Sequence, residues 1–194
     1  ALLFLQYIMR KLRVAGAPVP GGKPATRGGR AAVVVPNGTL FGDGISAVIK
    51  EQMLKEFKLH TVVRLPQGVF APYTDIPANL LFFERGGPTD TIWYYELPLP
   101  EGRKKYSKTA PLQFEEFAPA LAWWNNRTEG PHAWKVSAAE VAERGYNLDS
   151  KNPHTKVGLE HADPKDLIAA MRSHEAEVMR LLGEIESLVA EVQA

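Results

Sequence analysis

The sequence predicts an α/β fold in which an open sheet is only partly built. Three apolar stretches of strand length lie at 31–35, 61–65 and 79–84, and a stretch with helical spacing separates the first two. The loops after the first two stretches begin Pro-Asn-Gly and Pro-Gln-Gly, and they lie where open α/β sheets bind their ligands. We therefore expect parallel strands plus one antiparallel strand, in a sheet that begins where a complete domain would already be half built.

An amphipathic helix is predicted at the start of the chain. Apolar residues in 2–12 share one face, and Arg10 and Lys11 suit the C-terminal end of a helix dipole. The helix is expected to end near Val14, because residues 15–29 contain three prolines and five glycines and therefore form a surface loop.

The next segment has the pattern of a strand, a helix and a strand. Residues 31–35 are wholly apolar, which is typical of a strand buried on both faces of a parallel sheet. Ser46 is the predicted N-cap of a helix whose apolar positions recur as far as Phe57, and 61–65 is the second strand. The three elements together predict a right-handed crossover unit.

The rest of the sheet is predicted from shorter stretches. About a dozen residues without a helical pattern precede 79–84, so this strand is expected to run antiparallel to its predecessor. Ile92–Tyr95 adds a short aromatic strand. The elements beyond it are a basic loop at 98–107, a helix at 114–124 that Pro119 kinks or divides, a short helix around 138–144 and a linker at 147–162.

The last thirty residues have the pattern of an assembly helix. Asp163 is a predicted N-cap, and Pro164 takes the first helical position. Apolar residues then step by four and three, with one polar member, which is a heptad seam that needs a partner. The seam consists of Leu167, Met171, His174, Val178, Leu181, Ile185, Leu188 and Val192.

Composition limits the class of protein. The hydrophobic content of 45% is ordinary for a chain with a core, and a net charge of +1 does not indicate a globally basic nucleic-acid binder. The absence of cysteine excludes disulfides and permits a cytoplasmic location. No apolar run reaches the roughly 20 residues that span a bilayer, and the five histidines lack metal-ligand spacing. We therefore predict neither a membrane partner nor a metal.

Aromatic residues in the loop 66–77 are candidates for binding a flat ligand. Rings exposed in a loop at the binding edge of a sheet can stack on a nucleobase. The alternative is that the Phe70 side chain packs against the sheet and holds the loop there, and the spacing alone leaves both interpretations open. The adjacent Trp123 and Trp124 are not a stacking platform by pattern, because neighbours on a helix point to different faces, so one is expected to enter the core.

Eight stretches form a combined pattern that is specific although each piece alone is not. They read Leu-Phe-Leu-Gln-Tyr-Ile-Met at 3–9, Gly-Gly-Arg-Ala-Ala-Val-Val-Val-Pro-Asn-Gly at 28–38, Val-Arg-Leu-Pro-Gln-Gly-Val-Phe-Ala-Pro-Tyr-Thr-Asp at 63–75, Asn-Leu-Leu-Phe-Phe at 79–83, Ile-Trp-Tyr-Tyr-Glu-Leu at 92–97, Glu-Gly-Arg-Lys-Lys-Tyr at 101–106, Trp-Trp-Asn-Asn-Arg at 123–127 and Tyr-Asn-Leu-Asp at 146–149. Over nearly its whole length the chain resembles the C-terminal portion of the modification subunit, an adenine-specific DNA methyltransferase, of type I restriction-modification systems.

The resemblance implies a fold, a division of the chain and an activity. It implies the C-terminal half of a Rossmann-like, S-adenosylmethionine-dependent methyltransferase sheet, followed by a helical C-terminal tail. Residues 1–97 would be the partial methyltransferase domain, 98–162 a family-specific helical and loop extension, and 163–194 the heptad helix for subunit assembly. The implied reaction methylates the exocyclic amino group of an adenine flipped out of DNA, in the cytoplasm.

The resemblance also implies roles for residues of two loops. Phe70 is implied to stack on the extruded adenine, which favours the stacking interpretation over simple packing of Phe70 against the sheet. Its loop neighbours Tyr73, Thr74 and Asp75 are candidates for contact with the target strand. Arg103, Lys104 and Lys105 are candidates to neutralise phosphates, and a solvated loop is the alternative for these three.

Two motifs of the family are missing from residues 1–194. The family binds S-adenosylmethionine through a Gly-rich loop after its first strand and catalyses through an Asn-Pro-Pro-aromatic motif, and neither occurs here. Asn152-Pro153-His154 lacks the second proline and the aromatic residue. We therefore assign no catalytic residue and expect this chain alone to be inactive, as one part of a longer parent subunit.

The implied partners are double-stranded DNA, a DNA-specificity subunit, a restriction subunit and a second copy of the modification subunit. The heptad helix would either dock on the specificity subunit or form a homodimer through 163–194. The alternative function, from a different class, is a non-enzymatic protein–protein interaction module that acts through this helix.

Overall fold

The helices and strands follow one another in a mixed α/β order. This computed structural model describes residues 1–18, 21–23, 26–42, 44–155 and 164–193. The elements are α1 (Leu2–Lys11), β1 (Arg30–Pro36), a 3-10 helix (Asn37–Leu40), α2 (Ile45–Glu56), β2 (Lys58–Arg64), β3 (Ala78–Glu84), β4 (Thr91–Glu96), a 3-10 helix (Phe114–Phe117), α3 (Ala118–Asn125), β5 (Ala133–Ser137), α4 (Ala138–Glu143) and α5 (Pro164–Gln193). The chain divides into two compact units, 1–155 and 156–194.

The first unit is built on one five-stranded sheet. The strand order is β1-β3-β2-β4-β5. Only β2 and β4 pair in parallel, whereas β3 lies antiparallel to both of its neighbours and β5 lies antiparallel to β4. The α/β prediction is confirmed, and so are the antiparallel return of β3 and the aromatic strand β4. β5 was missed, because five residues with one outward lysine give too short an alternation to recognise.

The prediction that the first strand is buried on both faces is wrong. β3 lies between β1 and β2, so β1 pairs with one neighbour among the described strands and forms an edge. Only Val35 of this strand is fully buried, whereas Ala32 is exposed and Val34 is 53% exposed. β1 and β2 still run in the same direction, as a crossover requires, because both are antiparallel to β3.

The predicted cap of the second helix is also wrong. α2 begins at Ile45 with Gly44 as its N-cap, at a φ of 52°. Ser46 lies inside the first turn, where its hydroxyl donates to the carbonyl of Phe41 at 2.8 Å instead of capping the helix. Downstream, the predicted effect of Pro119 is confirmed, because a 3-10 helix ends at Phe117 and α3 begins just before the proline, where no N–H is needed.

Two hydrophobic clusters cover the two faces of the sheet. The larger packs α1 and α2 against one face, with Leu5, Met53 and Phe83 among its buried side chains. The smaller packs α3 against the other face. There Trp123 and Trp124, of which one was expected to enter the core, are both half-buried against this cluster.

The segment predicted as a linker is fixed to the sheet over its described part. The Leu148 N–H donates to the carbonyl of Leu40 at 2.8 Å, and the hydroxyl of buried Tyr94 donates to the carbonyl of Leu148 at 2.9 Å. Residues 147–155 are therefore part of the first unit, and 156–162 lie outside the described residues. The pattern misled because the bonding partners are remote in sequence.

The second unit contains α5, whose 30 residues confirm the predicted C-terminal helix. Large apolar side chains along it are exposed, among them Met171 at 71% and Ile185 at 56%. Asp163 and the side chains of Leu167, Leu188 and Val192 lie outside the described residues. Within the described ranges, no helix is both long and apolar enough to cross a membrane.

Candidate functional site

Three strands end at one edge of the sheet and direct their loops to the same region. β1, β2 and β4 run in the same direction, so Asn37, Leu65 and Leu97 leave the sheet side by side. A cleft of about 630 Å³ opens along this edge. The polar residues of its lining are Asn37, Arg64, Gln67, Asn79, Glu96, His132, Asn152, His154 and Thr155. This edge is where ligands bind in open α/β sheets.

A row of polar side chains crosses three strands beside the cleft. Arg64 lies in register with Asn79 on one side and with Glu96 on the other. Arg64 Nη1 donates to Asp149 Oδ1 at 2.8 Å and to the carbonyl of Ser150 at 2.6 Å. These groups attach the segment 147–155 to the sheet.

The two other members of the row, Asn79 and Glu96, also have hydrogen-bond partners within the chain. Asn79 Nδ2 donates to Asn37 Oδ1 at 3.1 Å, and Asn152 Nδ2 donates to Glu96 Oε2 at 2.9 Å. Among the residues that the structure describes, no buried side-chain polar atom lacks a hydrogen-bond partner. The three side chains of this row are thus engaged by hydrogen bonds within the chain.

Phe70 lies on the loop that leaves the carboxyl end of β2. Its ring is 40% exposed and is not part of the cleft lining, to which this loop contributes Gln67. The neighbouring Val69 packs against the smaller hydrophobic cluster. Val69 therefore fastens the loop to the sheet, and the Phe70 ring keeps an exposed surface.

The tip of this loop is a hydrogen-bonded turn. The N–H groups of Tyr73 and Thr74 both donate to the carbonyl of Phe70, at 3.0 and 3.3 Å. Thr74 Oγ1 accepts from the Ile76 N–H at 3.0 Å, and Asp75 Oδ2 lies 2.8 Å from Lys105 Nζ. Tyr73 itself is 93% exposed. The turn is thus ordered by its backbone, while its largest side chain faces solvent.

A second segment supports the base of the loop. The Tyr106 N–H donates to the carbonyl of Gln67 at 3.0 Å, and Gly68 has a φ of 80°. A Cβ at Gly68 would lie 2.2 Å from the carbonyl oxygen of Tyr106, so a side chain does not fit there. Sequence reasoning missed this pair, and the glycine after Pro-Gln was its only signal.

Tyr106 is anchored in turn by the segment 113–117. The ring is fully buried, and its hydroxyl donates to Glu116 Oε1 at 3.2 Å. Burial, reinforced by the Glu116 carboxylate, raises the pKa of the Tyr106 phenol. The segment that carries the basic residues is therefore a fixed support for the loop.

The three predicted cations of this segment have different surroundings. Arg103 Nη1 lies 3.4 Å from Glu116 Oε1, and Lys105 pairs with Asp75. Lys104 is exposed and forms no ion pair with any residue of the described part. The structure thus joins the basic segment to the Phe70 loop, and the DNA contacts of these residues remain predictions.

The face of the sheet that the smaller hydrophobic cluster covers also carries an aromatic cluster around Arg127. Its guanidinium lies over the rings of Trp123 and Trp124, 5.5 and 4.6 Å from their centroids. The His60 ring is half-buried, with its centroid 5.8 Å from that of Trp124. Burial, and secondarily the charge of Arg127, lowers the pKa of His60.

Across the described residues, no cluster of histidine and carboxylate side chains could hold a metal ion.

Comparison with known proteins gives consistent matches. Residues 23–162 match the family model described as N-6 DNA methylase. The chain is 46% identical over 168 residues to the type I restriction enzyme EcoEI methylase subunit of Escherichia coli, covering 83% of this chain and 34% of that protein. It is 32% identical over 165 residues to the EcoKI methylase subunit of Escherichia coli strain K12, covering 77% and 28%.

Solved structures agree with these sequence matches. A crystal structure of a modification subunit, assigned to a type I restriction enzyme of Vibrio vulnificus YJ016, superposes with a TM-score of 0.73 at 60% identity, over 79% of this chain and 32% of that one. A structure concerned with complex assembly and conformational transition of the type I R-M system superposes with a TM-score of 0.71 at 42% identity, over 98% and 39%. The chain spans about a third of the length of the curated relatives it matches.

Proposed function

Because this chain belongs to the N-6 DNA methylase family, we propose that it is the C-terminal part of the methylase subunit of a type I restriction-modification system. The resemblance to these modification subunits that the sequence indicated is confirmed. In the intact subunit, a methyl group passes from S-adenosylmethionine to the exocyclic amino group of an adenine everted from DNA, in the cytoplasm.

The observation that carries this proposal is the position and bracing of the Phe70 loop. The loop leaves the carboxyl end of β2, Val69 fastens it to the sheet, and the Phe70 ring stays partly exposed. An everted base needs a flat apolar surface to replace the stacking that it loses in the duplex. Phe70 would hold the adenine by stacking, and the fixed backbone would orient its amino group.

Two charged side chains of the cleft are already engaged within the chain. Arg64 is paired with Asp149, and the Glu96 carboxylate accepts from Asn152, so the cleft offers no uncommitted charged pair for an amino acid moiety. Bound S-adenosylmethionine would supply an electrophilic methyl group. We propose that the rest of the intact subunit holds it, and we assign no residue of this chain to that role.

The lateral edge of the sheet, which is strand β1, supports a larger parent domain. β1 hydrogen bonds to β3 on one side, and Val34 and Ala32 are exposed along it. An edge strand with apolar side chains and unpaired backbone groups invites another strand. We propose that the remainder of the intact subunit adds a strand at β1 and supplies the second wall of the adenine site.

The helix α5 would serve assembly within the same complex. The exposed apolar side chains on it need cover, which a specificity subunit or a second copy of this helix could supply. Double-stranded DNA, the restriction subunit and a second modification subunit complete the proposed partners. A purely non-enzymatic interaction module is not favoured, because the family match covers the sheet rather than the helix.

Substitution of Phe70 in the intact subunit, assembled with its partner subunits, tests the proposal. Phe70→Ala should lower methyl transfer to a cognate duplex by about tenfold or more, because base–aromatic stacking is worth roughly 1–3 kcal/mol per base. Phe70→Tyr keeps a stacking ring and should retain most of the activity. Phe4→Ala removes a 75% exposed ring on α1 and is the matched control. Wild-type rates for Phe70→Ala would reject the stacking role.

A further inference from the structure

Tyr73 combines extreme exposure with a rigid support. Its side chain is 93% exposed, and no large apolar side chain within the described ranges is more exposed. The loop beneath it is fixed by the Tyr106–Gln67 hydrogen bond, by the contact of Gly68 with Tyr106 and by the Lys105–Asp75 ion pair. An aromatic ring held in solvent by an ordered loop is arranged to bind something outside the chain.

Tyr73 also has a defined relationship to Phe70. The carbonyl of Phe70 accepts the N–H of Tyr73 at 3.0 Å, so the two residues are the ends of one tight turn. The Cα atoms at the ends of such a turn lie within about 7 Å of each other. One turn therefore presents two aromatic rings, one 40% and the other 93% exposed.

Two rings on one turn match the two stacking demands of base eversion. The everted base is held outside the helix by stacking on the protein, and a side chain that enters the gap can replace part of the stacking that the flanking pairs lose. We infer that Tyr73 is a wedge that enters the base stack at the position vacated by the adenine, while Phe70 holds the adenine itself. This inference rests on the proposed function.

Beside the ion pair on the turn lies Lys104, an exposed cation that has no ion pair within the described part of the chain and is available to a DNA backbone. Lys105 Nζ lies 2.8 Å from Asp75, two residues from Tyr73, and the exposed Lys104 adjoins it in sequence. Cations beside an exposed ring can neutralise the phosphates that flank an entered step. A protein surface covering Tyr73 is the other class of occupant, and the experiment distinguishes it.

The experiment uses the intact subunit with its partner subunits and two duplexes that carry the target site. In the first the target adenine is paired, and in the second the opposite base is missing, so that eversion no longer requires breaking a pair. Methyl transfer is measured on both, and eversion is measured by the fluorescence of 2-aminopurine at the target position. The variants are Tyr73→Ala, Tyr73→Phe and Phe70→Ala, with Tyr7→Ala as the control because Tyr7 is a 59% exposed tyrosine on α1.

A wedge has a specific signature in this design. Tyr73→Ala should lose about tenfold in transfer and in 2-aminopurine signal on the paired duplex, and should recover to within about threefold of wild type on the duplex that lacks the opposite base. Tyr73→Phe should keep the activity, because the ring does the stacking. Phe70→Ala should stay impaired on both duplexes. The melting temperature of Tyr73→Ala should not change, because the side chain is exposed.

Each other outcome overturns the inference. Wild-type behaviour of Tyr73→Ala on the paired duplex, with Phe70→Ala impaired, removes the wedge and leaves the proposed function intact. An equal loss on both duplexes assigns Tyr73 to a strand or subunit contact instead. If wild type gives no 2-aminopurine signal and Phe70→Ala transfers normally, the proposed function fails and the wedge fails with it.

Discussion

The backbone of Tyr106 occupies the space that a side chain at Gly68 would need. A Cβ on Gly68 would approach the Tyr106 carbonyl oxygen to 2.2 Å, and the glycine has a φ of 80° that other residues rarely adopt. The two residues thus join the Phe70 loop to the segment that carries Lys105. The position of the loop is set by a backbone-to-backbone contact and not by its exposed side chains.

Gly68→Ala should therefore damage both stability and activity. The positive φ and the clash together should cost about 1–3 kcal/mol in the free energy of unfolding, and methyl transfer by the intact enzyme should fall as the loop moves. Gly86→Ala is the control, because a Cβ there meets no atom within 4 Å. Urea unfolding and a transfer assay measure the two effects. Equal behaviour of the two variants would contradict the contact.

Removing Asp149 should destabilise the first unit. Asp149→Ala leaves the Arg64 guanidinium, which is 19% exposed, with one fewer charged partner at the sheet edge. A loss of about 2–3 kcal/mol in the free energy of unfolding is expected, because breaking a partly buried charged pair leaves a cation uncompensated. Lys55→Ala breaks an ion pair of which the lysine is 68% exposed and should leave the free energy of unfolding almost unchanged. A similar cost for both would show that residues 147–155 are not anchored by this pair.

Lys104 should contribute to DNA affinity through a phosphate. Because it has no ion pair within the described part of the chain, Lys104→Ala should reduce the slope of log K against log salt by about 1 for the intact complex. Binding titrations at several salt concentrations measure this slope. Lys55→Ala on α2 serves as the control, and an unchanged slope for Lys104→Ala would place this lysine away from the duplex.

A charge in the apolar stripe of α5 should prevent assembly. Leu181→Asp places a carboxylate among the exposed side chains that a partner would cover, and light scattering should show loss of either the self-associated or the mixed complex. At 100° per residue, Ala176 lies on the side of the helix opposite this stripe, so Ala176→Asp adds the same charge without this effect. Assembly that tolerates Leu181→Asp would exclude α5 as the interface.

The half-buried His60 should make the sheet less stable in acid. Its pKa is lowered in the folded state, so the unfolded chain takes up a proton first, and stability falls as the pH drops below the unfolded pKa of about 6.5. His60→Gln should lose less stability than wild type between pH 7.5 and pH 5.5 in chemical unfolding. Identical pH profiles for wild type and His60→Gln would refute the assignment.

Local patterns predicted the elements whose determinants are local. The connection to β3 is too short for anything but an antiparallel return. Pro119 divides the predicted helix regardless of what that helix packs against. The 30 residues of α5 repeat one stripe for long enough to be recognised. These predictions did not depend on the order of strands in the sheet.

The errors arose where the determinant is remote in sequence. The exposure of β1 follows from β3 lying between β1 and β2, which no window of residues reveals. The supposed linker is held by Arg64, 85 residues away from Asp149, although its own composition indicates a loop. At the candidate site, the position of the loop after β2 could be predicted from the sequence, but its support from Tyr106 could not.

The aromatic cluster beneath Arg127 has a practical consequence for following this protein in solution. All four tryptophans, Trp93, Trp123, Trp124 and Trp134, belong to the sheet or to α3, and none lies on the Phe70 loop or on α5. Intrinsic emission should therefore be an optical reporter of sheet integrity that is insensitive to the melting of α5. Recorded beside far-ultraviolet circular dichroism, it would separate the denaturation of one unit from that of the other without any added label.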